Sequence, residues 1–217
     1  LIATAAHESS IELAEERGHF PIWNIDKDSK SEFLQRMFND SNELMTQDLF
    51  NKYSTHGKRN IGILTIAPTG SVSIMTQTTS GIEPLFSPYY FRKKKITSED
   101  YWDYVDEVGD KWVEFPVFHR PFVKWYSIQA EVDFNIAEYN LSKMKKDQLD
   151  KLFKDSPYFE ATAQDVDYVE KARMQGAVQK WVDHSISVTV NMPENVTVDI
   201  VADVYKVAHE AGCKGIT

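Results

Sequence analysis

Residues Ile61-Gly62-Ile63-Leu64-Thr65-Ile66-Ala67 form a short, nearly unbroken apolar run rich in β-branched side chains. Such a run predicts a strand buried on both faces, which needs cover above and below it. Pro68-Thr69-Gly70-Ser71 ends the run abruptly with turn chemistry. The small and hydroxyl residues Thr69-Gly70-Ser71-Val72-Ser73 let backbone amides converge on one point without side-chain obstruction. A helix starting there adds unpaired N–H groups and a dipole, both favourable to an anion. The hydroxyls of Thr69, Ser71 and Ser73 are further candidate donors. The Gly-Lys-Ser/Thr of a Walker loop is missing. On composition alone, a turn of this kind is more often a plain strand-to-helix connection than a phosphate site.

The rest of the chain supplies helices around that strand. Ile11 to Arg17 reads as the end of a helix stopped by Gly18. A second helix is predicted over about 31–53, from Phe33, Leu34, Met37, Phe38, Leu44, Met45, Leu49 and Phe50 at helical spacing, with a break at Asn39-Asp40-Ser41-Asn42. That stripe reads as core. Residues from about 92 to 157 are charged and aromatic, and are expected to form a mainly helical surface excursion. Thr162 followed by Asp165 resembles a helix cap, opening a helix to about Asp183. Ser185-Ile186-Ser187-Val188-Thr189-Val190 alternates polar and apolar, the period of a strand with unlike faces. Thr197 opens a last helix that ends at Gly212, and Lys214-Gly215-Ile216-Thr217 starts another strand. Strand–loop–helix–strand alternation gives an α/β fold. The segments expected are 1–92, 93–156 and 157–217.

Charge and composition exclude several classes. Twenty-four Lys and Arg against 33 Asp and Glu leave a formal charge of -9, a poor footprint for non-specific nucleic-acid binding. No apolar run reaches the ~18 residues of a membrane span. The start, Leu1-Ile2-Ala3-Thr4-Ala5-Ala6-His7, has neither the basic opening nor the apolar stretch of a secretion signal. Without an initiator Met, the chain is expected to begin inside a longer protein. One cysteine, Cys213, rules out an internal disulfide and a Cys-rich metal site, and a cytoplasmic location is expected. The six His residues show no paired spacing with carboxylates, so no metal site is expected, and His184 reads as a hydrogen-bonded structural group. Arg92-Lys93-Lys94-Lys95 reads as a solvated run. Cys213 lies near a helix C-terminus, where the dipole raises the thiol pKa and makes it a weak nucleophile.

The stretch Arg59-Asn60-Ile61 through Ala67-Pro68-Thr69-Gly70-Ser71-Val72-Ser73, continued by Thr78-Thr79-Ser80-Gly81-Ile82-Glu83-Pro84-Leu85-Phe86, resembles the large catalytic subunit of ribonucleotide reductases. So does Gln179-Lys180-Trp181-Val182-Asp183-His184-Ser185-Ile186-Ser187, through Val190-Asn191-Met192-Pro193, to Gly212-Cys213-Lys214-Gly215-Ile216-Thr217. The Ala-Pro-Thr-Gly-Ser turn and the Gly-Cys-Lys-Gly ending are most similar to the adenosylcobalamin-dependent (class II) branch. The resemblance is clear over about 55–92 and 161–217, fainter over 1–50 and weakest over 93–156.

The resemblance implies the C-terminal half of a ten-stranded α/β barrel that reduces the 2′-OH of ribonucleoside di- or triphosphates. It implies that Pro68, Thr69, Gly70, Ser71 and Val72 hold the substrate phosphates through main-chain amides and hydroxyls. It also implies adenosylcobalamin as cofactor, a thiol reductant system and the N-terminal remainder of the catalytic subunit as partners. Glu83, in the Gly81-Ile82-Glu83-Pro84 turn near the active site, carries no proton-transfer role in this reading. The family's thiyl-forming cysteine and its reducing cysteine pair have no counterpart here, because Cys213 matches a helix-end position. No catalytic residue is therefore expected in this chain, and on its own it is expected to be inactive and to self-associate. The class I large subunit, and a non-catalytic nucleotide-binding or partner module on the same scaffold, stay open as alternatives.

Overall fold

The computed structural model describes residues 1–39, 46–97 and 101–217. They fall into two units, Leu1–Pro68 with Asp167–Thr217, and Thr69–Val166.

The first unit opens with α1 (Ile2–Arg17), which stops at Gly18 because that residue takes φ 78° and closes the last turn through its N–H to Ala14. A short α2 (Ile25–Asp28) is capped by the Asn24 side chain. The stripe predicted over 31–53 forms two helices, α3 (Glu32–Asn39) and α4 (Gln47–His56). Of the predicted break, residues 40–42 lie outside the described residues, as do Leu44 and Met45. Thr46 caps α4 by accepting the Leu49 amide at 3.2 Å. Ile11, Leu49 and Tyr53 then close a small core with Ile25 and Phe50.

The second unit contains α5 (Gly70–Thr76), the strands β1 (Tyr89–Ile96), β2 (Tyr104–Val105) and β3 (Lys111–Phe118), then α6 (Arg120–Gln129), α7 (Phe134–Lys143) and α8 (Lys146–Lys154). The strands make an antiparallel sheet in the order β1-β3-β2, with Tyr89 opposite Phe118 and Ile96 opposite Lys111. Tyr89 packs with Phe122, Val123, Ala137, Leu141 and Leu149 in a core that Phe91 and Phe118 extend. The mainly helical excursion expected over 93–156 does hold three helices, and what the expectation missed is the antiparallel sheet that shares a core with them. The strands escaped a period-2 reading because Arg92-Lys93-Lys94-Lys95 is exposed throughout. That part of the hairpin buries neither face, so no alternation marks it.

The first unit resumes with α9 (Tyr168–Gln179) and α10 (Val198–Glu210). The predicted helix from Thr162 to about Asp183 is shorter at both ends. Asp165 accepts the Thr162 amide at 3.0 Å and its hydroxyl at 2.5 Å, closing a turn, while Asp167 caps the helix itself. Thr197 caps α10 as expected. Ala172, Val204 and Ala208 pack the two helices together.

The predicted strand over 61–67 is an extended segment with one parallel bridge, Ile66 to Ile186. Further hydrogen bonds to the same neighbour run from His184 N to Leu64 O at 3.0 Å and from Ser187 N to Ile66 O at 2.8 Å. The expectation that it is buried on both faces is overturned: Ile61 is 64% exposed and none of the seven residues is buried. One flank has this neighbour, and the other has none among the described residues. Residues 184–190 do alternate, with Ile186 and Val188 buried. They are followed by α10 and by 214–217, which returns alongside through Val190 N to Thr217 O at 2.7 Å. Extended segments and helices therefore alternate here. β pairing among the described residues is confined to the three-stranded sheet and the single bridge.

Candidate functional site

The segment leading to the turn is held from a distance. Both carboxylate oxygens of Asp183 are engaged, one accepting the Ile63 amide at 2.8 Å and the other the Leu64 amide at 2.7 Å. A carboxylate accepting two amides is a strong, directional clamp. Nothing near residue 63 announces it, since the partners are 120 residues apart.

After Pro68, Thr69 occupies the N-cap of α5 without capping it. Its hydroxyl oxygen accepts the Gly81 amide at 3.2 Å instead. The first intrahelical bond is Ser73 N to Thr69 O at 2.8 Å. The amides of Gly70, Ser71 and Val72 thus have no partner among the described residues, and all three residues are exposed. Ser73 is buried, and its hydroxyl bonds Gly70 O at 2.7 Å and Ser80 Oγ at 3.1 Å. It braces the turn and drops out as a ligand donor. Thr69 and Ser71 keep a free O–H. Three consecutive N–H groups and the positive end of a short helix dipole can receive an oxyanion. Glu83 donates its amide to Ser80 O at 3.1 Å in the following turn.

The remaining candidates are dispersed. Cys213 is half-buried, its Sγ 3.6 Å from Ala172 O, and burial raises its pKa. The predicted direction holds, although burial is the cause. Lys95 pairs with Asp110 at 2.5 Å and Lys93 lies over the Tyr104 ring at 5.3 Å. The His184 ring lies against Gly62, where a Cβ would meet its Nε2 at 1.7 Å. The His184 main chain bonds Leu64 and Gln179. Among the described residues no three His, Cys, Asp or Glu side chains gather to hold a metal, and no helix is long and apolar enough to cross a membrane.

The family model described as "Ribonucleotide reductase, barrel domain" matches residues 1–217. The vitamin B12-dependent ribonucleoside-diphosphate reductase of Mycobacterium tuberculosis is 31% identical over 217 residues, all of this chain and 25% of that protein. The protein of the same name from Thermoplasma acidophilum is 28% identical over 214 residues, 98% of this chain and 22% of its own length. The ribonucleoside-diphosphate reductase subunit alpha of Helicobacter pylori is 25% identical over 225 aligned residues, 98% of this chain and 23% of that protein. The chain spans about a quarter of the length of these relatives. With its whole length covered by the family model, the chain belongs to the ribonucleotide reductase barrel-domain family.

Proposed function

We propose that this chain is part of the catalytic barrel of an adenosylcobalamin-dependent ribonucleoside-diphosphate reductase, and that Pro68, Thr69, Gly70, Ser71 and Val72 hold the substrate phosphates. The observation that carries the site is the row of three exposed, unpartnered amides at Gly70, Ser71 and Val72. In this reading those N–H groups donate to phosphate oxygens, and the Thr69 and Ser71 hydroxyls add donors. Pro68 withholds an N–H and sets the entry of the chain. The small side chains keep the phosphate against the backbone. A backbone cradle of this kind orients the nucleotide without reading its base.

The finer architecture belongs to the same proposal. Segments 61–67, 184–190 and 214–217 act as neighbouring parallel strands of a ten-stranded barrel, within the sequence segments 1–92, 93–156 and 157–217. What adenosylcobalamin supplies when bound is the radical that starts the reduction. The described residues present no donor set that we assign to the cobalamin, and no step here runs through it. Cys213, half-buried with a raised pKa, fits neither the radical nor the reducing role. Those groups come from the remainder of the protein, and a thiol reductant system is a separate partner, in the cytoplasm. A class I large subunit is the second reading, supported by the name of the Helicobacter pylori relative. The higher identities over the whole chain carry the B12-dependent name.

An amide-resolved titration of this chain with a ribonucleoside diphosphate tests the turn. Saturable shifts centred on Gly70, Ser71 and Val72 are expected. No response there, with the chain folded and again after addition of the upstream part of the subunit, refutes the assignment.

A further inference from the structure

We propose that a second oxyanion site, for a phosphate group, lies in the first unit at the end where segments 61–67, 184–190 and 214–217 begin, built by Lys58, Lys214 and His184. This is the end of segment 61–67 away from Pro68, so the site is distinct from the turn and does not rest on the function proposed for it.

A cavity of about 400 Å³ opens there, and its lining includes Ser31, Lys58, Gly62, Asp183, His184 and Lys214. Lys58 is the anomaly. Its side chain is in a residue only 6% exposed, and its ammonium makes one long hydrogen bond, 3.4 Å to Ile61 O. An ammonium carries three donors, and burying one with so little hydrogen bonding is unfavourable unless another acceptor arrives. The titratable groups that act on it are the carboxylates of Asp28 and Asp183 and the neutral His7 ring. Neither carboxylate is idle: Asp28 accepts the Tyr53 hydroxyl at 2.7 Å, and Asp183 is held by the Ile63 and Leu64 amides.

The other two groups add donors to the rim. Lys214 donates to Asp183 O and keeps two further hydrogens. The His184 ring stands over Gly62, whose missing side chain makes the space it occupies. Asp28 and Asp183 offset the two ammonium charges, and the Asp183 oxygens already accept the Ile63 and Leu64 amides, so what the cavity leaves in surplus is N–H donors. A phosphate, with its several acceptor oxygens, complements that set.

The test follows the His184 ring and the Gly62 and Lys214 amides by NMR in the full chain. Inorganic phosphate and a ribonucleoside 5′-monophosphate are titrated separately, with ionic strength held constant by chloride. Saturable shifts with both probes support a site for free phosphate. Saturation by the nucleotide alone supports a site for a phosphate ester. In either case binding is expected to weaken about tenfold in Lys58→Met and in Lys214→Gln, the loss of one charge-assisted contact. Lys214 is exposed, so Lys214→Gln decides if Lys58→Met fails to fold. Absence of saturation with either probe in the folded chain, or unchanged affinity in the variants, overturns the proposal. Shifts at Gly70, Ser71 and Val72 report the turn separately, so failure of one site is distinguishable from failure of the other.

Discussion

Gly176, in the middle of α9, sets two effects of opposite sign against each other. Alanine in place of a mid-helix glycine gains about 1 kcal/mol from backbone entropy and propensity. At this position, however, the new Cβ would lie 2.5 Å from Ala211 Cβ and 2.6 Å from Ala211 O, at the C-cap of α10. Carbon atoms pack at about 3.5 Å or more, so the helices must separate by about 1 Å. The carbonyl belongs to backbone and cannot swing aside. Overpacking of this kind costs about 1–3 kcal/mol, and the separation also loosens Ala172, Val204 and Ala208. Gly176→Ala is therefore expected to destabilise the first unit by up to about 2 kcal/mol net. Urea unfolding followed by circular dichroism gives the difference, and hydrogen exchange of the α9 and α10 amides locates it. Adding Ala211→Gly removes the Cβ contact but leaves the carbonyl, so partial rescue is expected. If Gly176→Ala is as stable as the parent or more so, propensity has won and the close approach of the helices is refuted.

Three further outcomes are expected. Burial, reinforced by Lys58 and opposed by Asp183, pushes the His7 pKa down to about 4 from an ordinary 6.5. The unfolded chain binds the extra proton between those values, so stability is complete above about pH 6.5 and falls by roughly 3 kcal/mol as pH drops towards 4. Urea midpoints across that window should show the slope in the parent and a flatter line in His7→Leu, and identical slopes would refute the assignment. Tyr89→Phe removes a hydroxyl that donates to Asp150 at 2.5 Å. Because Asp150 is exposed and regains water, the loss in denaturant stability should be only about 1 kcal/mol, and a far larger loss would contradict that account. Ile74 and Met75 are 79% and 84% exposed on α5. Replacing both with Ser should weaken self-association in sedimentation equilibrium, and an unchanged association constant would clear α5 of any part in it.

Helix ends were legible because their chemistry is local. A cap joins groups three or four residues apart, so Gly18, Thr197 and Gly212 could be read one at a time. The same locality exposed the turn at 68–72, whose conformation follows from a proline, a glycine and small hydroxyl residues in succession. Strand environment was less legible. The apolar run 61–67 specifies an extended segment, but whether both its faces are covered depends on what lies beside it. The hairpin of β1 and β3 was missed because its basic half shows no alternation, and its apolar half became core only when α6, α7 and α8 packed on it.

The sequence by itself determined the family, the helix ends at Gly18, Thr197 and Gly212 and the turn whose amides stay free, since each rests on neighbours along the chain or on long matched segments. Tertiary structure alone decided that Asp183 would clamp Ile63 and Leu64, that Gly62 would make room for His184, and that Lys58 and Lys214 would line one cavity. Those pairings join residues more than 100 positions apart. Their energies come from burial and charge in a shared space, which no local pattern encodes.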